Sequence, residues 1–179
     1  MTRVAQLADA ALASAKDTRL AVLIDGRSGA GKTTLATSLA RTLGERLGQP
    51  VTLVHLDDCY AGWGGLAAGA AAVPGILDAD SPGYARYDWE QGRFAEWVRL
   101  RPRAPIIVEG VGAITAEAVP LASLALWLHR DEQHRRQDAL AREPDFAVRW
   151  DQWAAQEDAH LGVNQPWRLA DIIVDMDLD

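Results

Sequence analysis

The segment Gly26-Arg27-Ser28-Gly29-Ala30-Gly31-Lys32-Thr33 has the spacing G-x-x-x-x-G-K-T. Glycines at 26, 29 and 31 let the backbone turn so that successive N–H groups point at one phosphate. Lys32 brings a full positive charge to the outer phosphates, and the Thr33 hydroxyl stands where a magnesium ion would sit. Gly26, Ser28, Gly29, Ala30, Gly31, Lys32, Thr33 and Thr34 are therefore read as holding a nucleoside triphosphate. Lys32 is read as catalytic as well, and Thr33 as a metal ligand. The guanine-selecting sequence N-K-x-D is absent, so ATP with Mg²⁺ is the expected pair.

Such a loop needs a strand to deliver it and a helix that starts within it. Leu20 to Ile24 is a short apolar run ended by Asp25-Gly26, as in a buried strand. From Lys32 to Leu47, leucines at 35, 39, 43 and 47 keep helical spacing until Gly48-Gln49-Pro50. Further helices are predicted over 3–16, Trp89 to Leu100, Asp131 to Glu143 and Phe146 to His160. Further strands are predicted at Val51 to Leu56, Ile106 to Val108, Leu124 to Leu128 and Asp171 to Val174. Residues 61–83, rich in glycine, alanine and proline, read as a flexible cover beside a pocket, with a short helix near Leu66 to Ala72. The alternation of strands and helices predicts an α/β fold. It would be a mainly parallel five-stranded sheet with helices on both faces, in one domain over 1–179.

In such sheets ligands sit beyond the carboxyl ends of the strands. Asp57-Asp58 follows the second strand there, and Glu109 ends the third. Phosphoryl transfer needs a group that positions or deprotonates the acceptor hydroxyl, and acids that hold magnesium. Asp57 suits the first task, with Asp58 as its alternate, and Glu109 suits the second. Asp88 is a candidate for binding a substrate hydroxyl, with a turn or helix cap as the rival explanation.

The blocks GRSGAGKTT, LDDCY, IIVEGV and PWRLADIIV resemble the uridine kinase and phosphoribulokinase group of P-loop kinases. The resemblance implies a P-loop NTPase fold and a small-molecule kinase. In that group an acid in a D-x-[FY]-Y pattern acts as the base toward the acceptor hydroxyl. The counterpart here is Asp57, three residues before Tyr60, which completes the pattern on the substrate side, with Cys59 where the family has Phe or Tyr. The family's strand-ending Glu-Gly pair matches Glu109-Gly110, and its late Ala-Asp matches Ala170-Asp171.

P-loop kinases of this kind also carry arginines on a mobile lid after the fourth strand, here 130–145, which neutralise charge on the transferred group. Arg130, Arg135, Arg136 and Arg142 are candidates. Arg135 is the first choice as catalytic, because it shares a helix face with Arg142. Surface pairing is the rival explanation, since Asp131 precedes Arg135, and Asp138 precedes Arg142, by one helical turn. One departure from the family concerns a hairpin that contacts the nucleoside base before the third strand. Only residues 91–102 lie between Glu90 and Arg103, so no hairpin is predicted.

Trp150, Trp153 and Glu157 share a helical face and read as packing against the core. His55, His129, His134 and His160 show no metal spacing, and the single Cys59 excludes an internal disulfide. A net charge of -7 without a basic cluster argues against nucleic acid as a partner. Residues 1–16 are interrupted by Asp9 and read neither as a signal peptide nor as a membrane span, so no membrane partner and a cytoplasmic location are expected. The function expected is transfer of the ATP γ-phosphoryl to a hydroxyl of a small molecule, a nucleoside or another compound. Two alternatives stand beside it. One is an ATPase or nucleotide-dependent switch acting on a protein partner. The other is a nucleoside monophosphate kinase, for which Arg86 and Arg93 are available.

Overall fold

Unbroken apolar runs such as Leu20 to Ile24 and Ile106 to Val108 must be covered on both faces, and both are buried. The computed structural model describes residues 2–15, 19–142 and 144–178. In chain order its elements are α1 (Arg3–Ala13), β1 (Ala21–Gly26), α2 (Lys32–Leu47), β2 (Thr52–His55), α3 (Leu66–Ile76), β3 (Gly83–Asp88) and β4 (Arg93–Arg99). There follow β5 (Ile106–Glu109), β6 (Leu124–His129), α4 (Glu132–Arg142), α5 (Trp150–Asn164), α6 (Pro166–Leu169) and β7 (Ile172–Asp175). Five strands form one sheet in the order β2-β5-β1-β6-β7, with every pair parallel. The expected α/β fold and its five strands are thus present.

Alternation along β1 feeds two cores. Val22 and Ile24 pack with Leu7 of α1 and with Leu35, Leu39 and Leu43 of α2. Ala21 and Leu23 face the other side, with Val54, Val108, Leu66, Val73 and Trp153. Each fully buried leucine contributes about 1.5–3 kcal/mol of transfer free energy. α1 is shorter than predicted, and the expected end at Lys16 lies outside the described residues, as does Glu143 at the expected end of α4.

Four expectations are corrected. Trp89 to Leu100 is not a helix: β4 pairs antiparallel with β3 in a separate two-stranded hairpin. Its tight turn is closed by the Asp88 carboxylate, which accepts from Glu90 N–H and Gln91 N–H at 2.9 Å each, and by Gly92 at φ +64°. Phe94, Trp97 and Val98 have strand as well as helix character, and pairing decides between them. The predicted absence of a hairpin before the third sheet strand falls with it. Residues 61–83 are likewise no loose cover. α3 runs on to Ile76, and Leu66, Ala70, Val73 and Ile76 are buried. Finally, α5 begins at Trp150, after a 3-10 turn over Pro144–Val148, rather than at Phe146.

Candidate active site

β1 delivers the glycine-rich loop, and α2 starts at Lys32 directly behind Gly31, whose φ is +91°. The loop amides and the positive end of α2 converge on one spot. Gly29, at φ +80°, is fixed for a further reason: a Cβ there would lie 2.0 Å from the carbonyl oxygen of Arg135. Lys32 is buried, and its ammonium group donates to the Arg27 carbonyl at 3.1 Å.

The Thr33 hydroxyl donates to Glu109 Oε1 at 3.0 Å, and His55 Nδ1 meets the same oxygen at 2.6 Å. Burial works to raise the Glu109 pKa. The bond to His55, the Lys32 charge and the bond to Thr33 outweigh it and hold the group below its ordinary value. The His55 imidazole is pushed up, first by its bond to Glu109. A hydroxyl and a carboxylate side by side form a hard oxygen pair that fits Mg²⁺, which takes few protein ligands and fills its shell with water and phosphate. Among the described residues no group of three or more His, Cys, Asp or Glu side chains could cage a metal unaided.

Asp57 lies in a 3-10 turn, Leu56–Asp58, directly after β2. It lines a cavity of about 630 Å³ together with Ser28, Gly29, Gly31, Lys32, Thr33, Thr34 and Glu109. Asp57 is reached from the cavity but ringed by protein. Desolvation therefore raises its pKa, with Lys32 opposing and Glu109 reinforcing the shift. Asp58 does not line this cavity, and it accepts from the Tyr84 hydroxyl at 3.5 Å. The two adjacent acids, equivalent in sequence, are separated by geometry.

The far wall of the cavity is aromatic: Tyr60, Trp63, Trp89, Phe146 and Trp153. Trp63 stacks on Phe146 at 5.5 Å and meets the edge of Trp89 at 5.2 Å. The Tyr60 hydroxyl donates to the Val111 carbonyl at 2.8 Å, so Tyr60 gives the cavity its ring rather than a free hydroxyl. Trp153 is buried, as the sequence suggests, yet it also lines the cavity. Asp88, expected to bind substrate, does not line the cavity and caps the hairpin turn instead.

Of the expected lid arginines, Arg130 and Arg142 line the cavity and Arg135 does not. Arg135 is 5% exposed, and its Nε and Nη1 donate to the carbonyls of Arg130 and Ser28 at 3.1 Å each. Two of its donors hold backbone and its side chain does not line the cavity, so Arg130 and Arg142 are better placed than Arg135 to face a ligand there. Two residues with no expected role grip the loop. Asp25, fully buried, accepts from Gly26 N–H at 2.7 Å and from Ile114 N–H at 2.9 Å. Glu157 accepts from Arg27 Nε at 3.0 Å and from Ser28 N–H at 2.8 Å. An acid placed on an otherwise apolar helical face, beside two tryptophans, is the signal that could have singled out Glu157.

No protein-family model matches the chain, and no curated protein matches it. Solved structures do. A possible uridine kinase from Bacillus stearothermophilus superposes with a TM-score of 0.66 at 24% identity, covering 97% of each chain. A candidate fructose transport system kinase from Silicibacter sp. TM1040 gives a TM-score of 0.64 at 16% identity, over 97% of this chain and 100% of that one. The fold of this chain is therefore the α/β fold of these kinase structures, the one that its P-loop and strand-end blocks resemble.

Proposed function

We propose that the chain is an ATP-dependent phosphotransferase that moves the γ-phosphoryl group to a hydroxyl of a small molecule, with Mg²⁺ as cofactor. The observation that carries this reading is the placement of Asp57 on the same cavity wall system as Lys32, Thr33 and Glu109. The loop amides and Lys32 hold the triphosphate. Bound at Thr33 and Glu109, Mg²⁺ would draw charge from the phosphate oxygens. Asp57 accepts the proton of the acceptor hydroxyl. The hydroxyl oxygen then bonds to the γ-phosphorus as the bond to the β–γ bridging oxygen breaks, and ADP leaves. Arg142 and Arg130 supply positive charge for the transferred group, and the aromatic wall keeps water away from it.

A neutral acceptor fits better than a nucleoside monophosphate. Arg86 is paired with Glu96 at 2.5 Å, and Arg93 with Gln91 at 2.6 Å. Neither lines the cavity, so neither supports a phosphate-holding role. The names of the two structural neighbours, a uridine kinase and a fructose transport system kinase, agree with hydroxyl acceptors. The test is ADP release from Mg·ATP over a panel of nucleosides, sugars and other neutral alcohols. Release stimulated by one acceptor class, and lost in Asp57→Asn, supports the reading. Release that no acceptor stimulates would move the protein to the ATPase class.

A further inference from the structure

The carboxylate of Glu157 is 2% exposed and lies behind the cavity wall, where it joins two lining residues, Ser28 and Trp153. Its Oε1 accepts two bonds at once, from Ser28 N–H of the phosphate loop at 2.8 Å and from Trp153 Nε1–H of the aromatic wall at 3.0 Å. Its Oε2 accepts from Arg27 Nε at 3.0 Å, and Arg27 also reaches Asp158 with Nη2 at 2.6 Å. The other side of the same loop residue is held too, since the Ser28 carbonyl accepts from Arg135 at 3.1 Å. Ser28 is thus fixed through its N–H by α5 and through its carbonyl by α4.

We infer that Glu157 is a positioning residue that couples the nucleotide loop to the acceptor wall, so that the two ligands bind with mutual dependence. The inference rests on the reading of the loop as a nucleotide site. The chemistry follows from one shared oxygen. A buried acceptor that serves two donors cannot shift toward one without weakening the other, and hydrogen bonds to a charged group are strong enough to transmit that cost. A ligand that moves the Trp153 indole therefore alters the tension on Ser28 N–H, and a phosphate that seats the loop alters the position of Trp153. By reciprocity each ligand changes the affinity of the other by the same factor.

Neither obvious substitution at Glu157 preserves the arrangement. In Glu157→Gln one oxygen becomes an NH₂ group, which opposes a donor whichever way the amide turns. Towards Arg27 it meets the guanidinium, and towards Ser28 and Trp153 it meets two N–H groups. Glu157→Asp is one methylene too short to reach both sides.

The experiment measures the dissociation constant of the non-hydrolysable analogue AMP-PNP with Mg²⁺ by calorimetry, with no acceptor present. The variants are Trp153→Phe, Glu157→Gln, the double variant, and Trp150→Phe as a control on the same helix. Trp153→Phe keeps an aromatic ring but removes the N–H together with part of the indole, a truncation that Trp150→Phe repeats without the hydrogen bond to Glu157. Trp153→Phe should weaken AMP-PNP binding about fivefold, the low end of ordinary coupling. Glu157→Gln should weaken it at least as much, and the double variant no further than Glu157→Gln alone. Trp150→Phe should leave affinity at the wild-type value, which a general loosening of α5 would not. Wild-type affinity in Trp153→Phe overturns the coupling, even where Glu157→Gln fails to fold. Absence of nucleotide binding in the wild-type chain would instead overturn the kinase reading itself.

Discussion

The indole Nε1–H of Trp89 donates to the backbone carbonyl of Asp57 at 2.9 Å. Trp89 stands in the turn segment that follows β3, so the hairpin is anchored to the turn that carries the proposed base. A neutral hydrogen bond contributes about 0.5–1.5 kcal/mol. Trp89→Phe should therefore lower kcat/KM by up to about tenfold through misplacement of Asp57. Steady-state kinetics with the acceptor found in the panel would check this, and an unchanged kcat/KM would detach the hairpin from catalysis.

In the proposed reaction Asp57 and Lys32 divide the work. Asp57→Asn should reduce kcat by about 10²–10⁴, the usual worth of general base catalysis, with AMP-PNP affinity kept. Lys32→Ala should cost about 10–100-fold in nucleotide affinity, from loss of a charged hydrogen bond. Calorimetry and turnover on the same two variants separate these effects. Full turnover by Asp57→Asn would remove the base assignment.

The pH profile should carry the mark of the crowded cavity. Surrounding protein raises the Asp57 pKa above 3.8 although the carboxylate opens to the cavity, so protonation disables the base at a higher pH than an unperturbed aspartate would show. As pH falls, kcat/KM should decline through an apparent pKa above that value. An acid limb centred at or below 3.8 would contradict the desolvated placement of Asp57.

Arg142 and Arg135 should give different phenotypes. Arg142 lines the cavity and its charge acts on Asp57, so Arg142→Ala should lower kcat by about 10³ if it meets the transferred group. Arg135→Ala should chiefly lower Tm and nucleotide affinity, because it frees the Ser28 carbonyl. Equal losses of kcat in the two variants, at equal stability, would return Arg135 to the catalytic role.

Asp25 makes a prediction about stability. Its pKa is raised from 3.8 to about 6, first by burial and against the N–H bonds of Ile114, Gly26 and Gly112. The folded chain thus binds this proton more tightly than the unfolded chain. The contribution is fully present below 3.8 and is lost as pH rises through about 6. Relative to Asp25→Asn, wild-type Tm should fall between about pH 4 and pH 6. The variant should also be less stable by about 1–3 kcal/mol, since its NH₂ group faces a buried donor. Parallel Tm profiles for the two proteins would rule out titration of Asp25.

The sheet and the phosphate loop were legible because their signals are local. Apolar runs ended by acids and a G-x-x-x-x-G-K-T spacing need no distant partner to be read. The hairpin was not legible, because Arg93–Arg99 becomes a strand only by pairing with Gly83–Asp88. Asp57 stood out by its place after a strand, whereas its separation from Asp58 required the turn itself. The contacts of Glu157 and Arg135 were not legible for one reason: both reach Ser28, far away in the chain, and helical spacing says nothing of that contact.

Gly29 occupies a position that the G-x-x-x-x-G-K-T spacing leaves free, yet any Cβ there would strike the Arg135 carbonyl at 2.0 Å. The start of α4 rests on that bare backbone like a shaft on its bearing. A single methyl group at this point would act as a wedge, prising α4 from the loop. Tolerance to substitution in this motif is set from outside the loop as well, and the most sensitive open position is the one where α4 comes to rest.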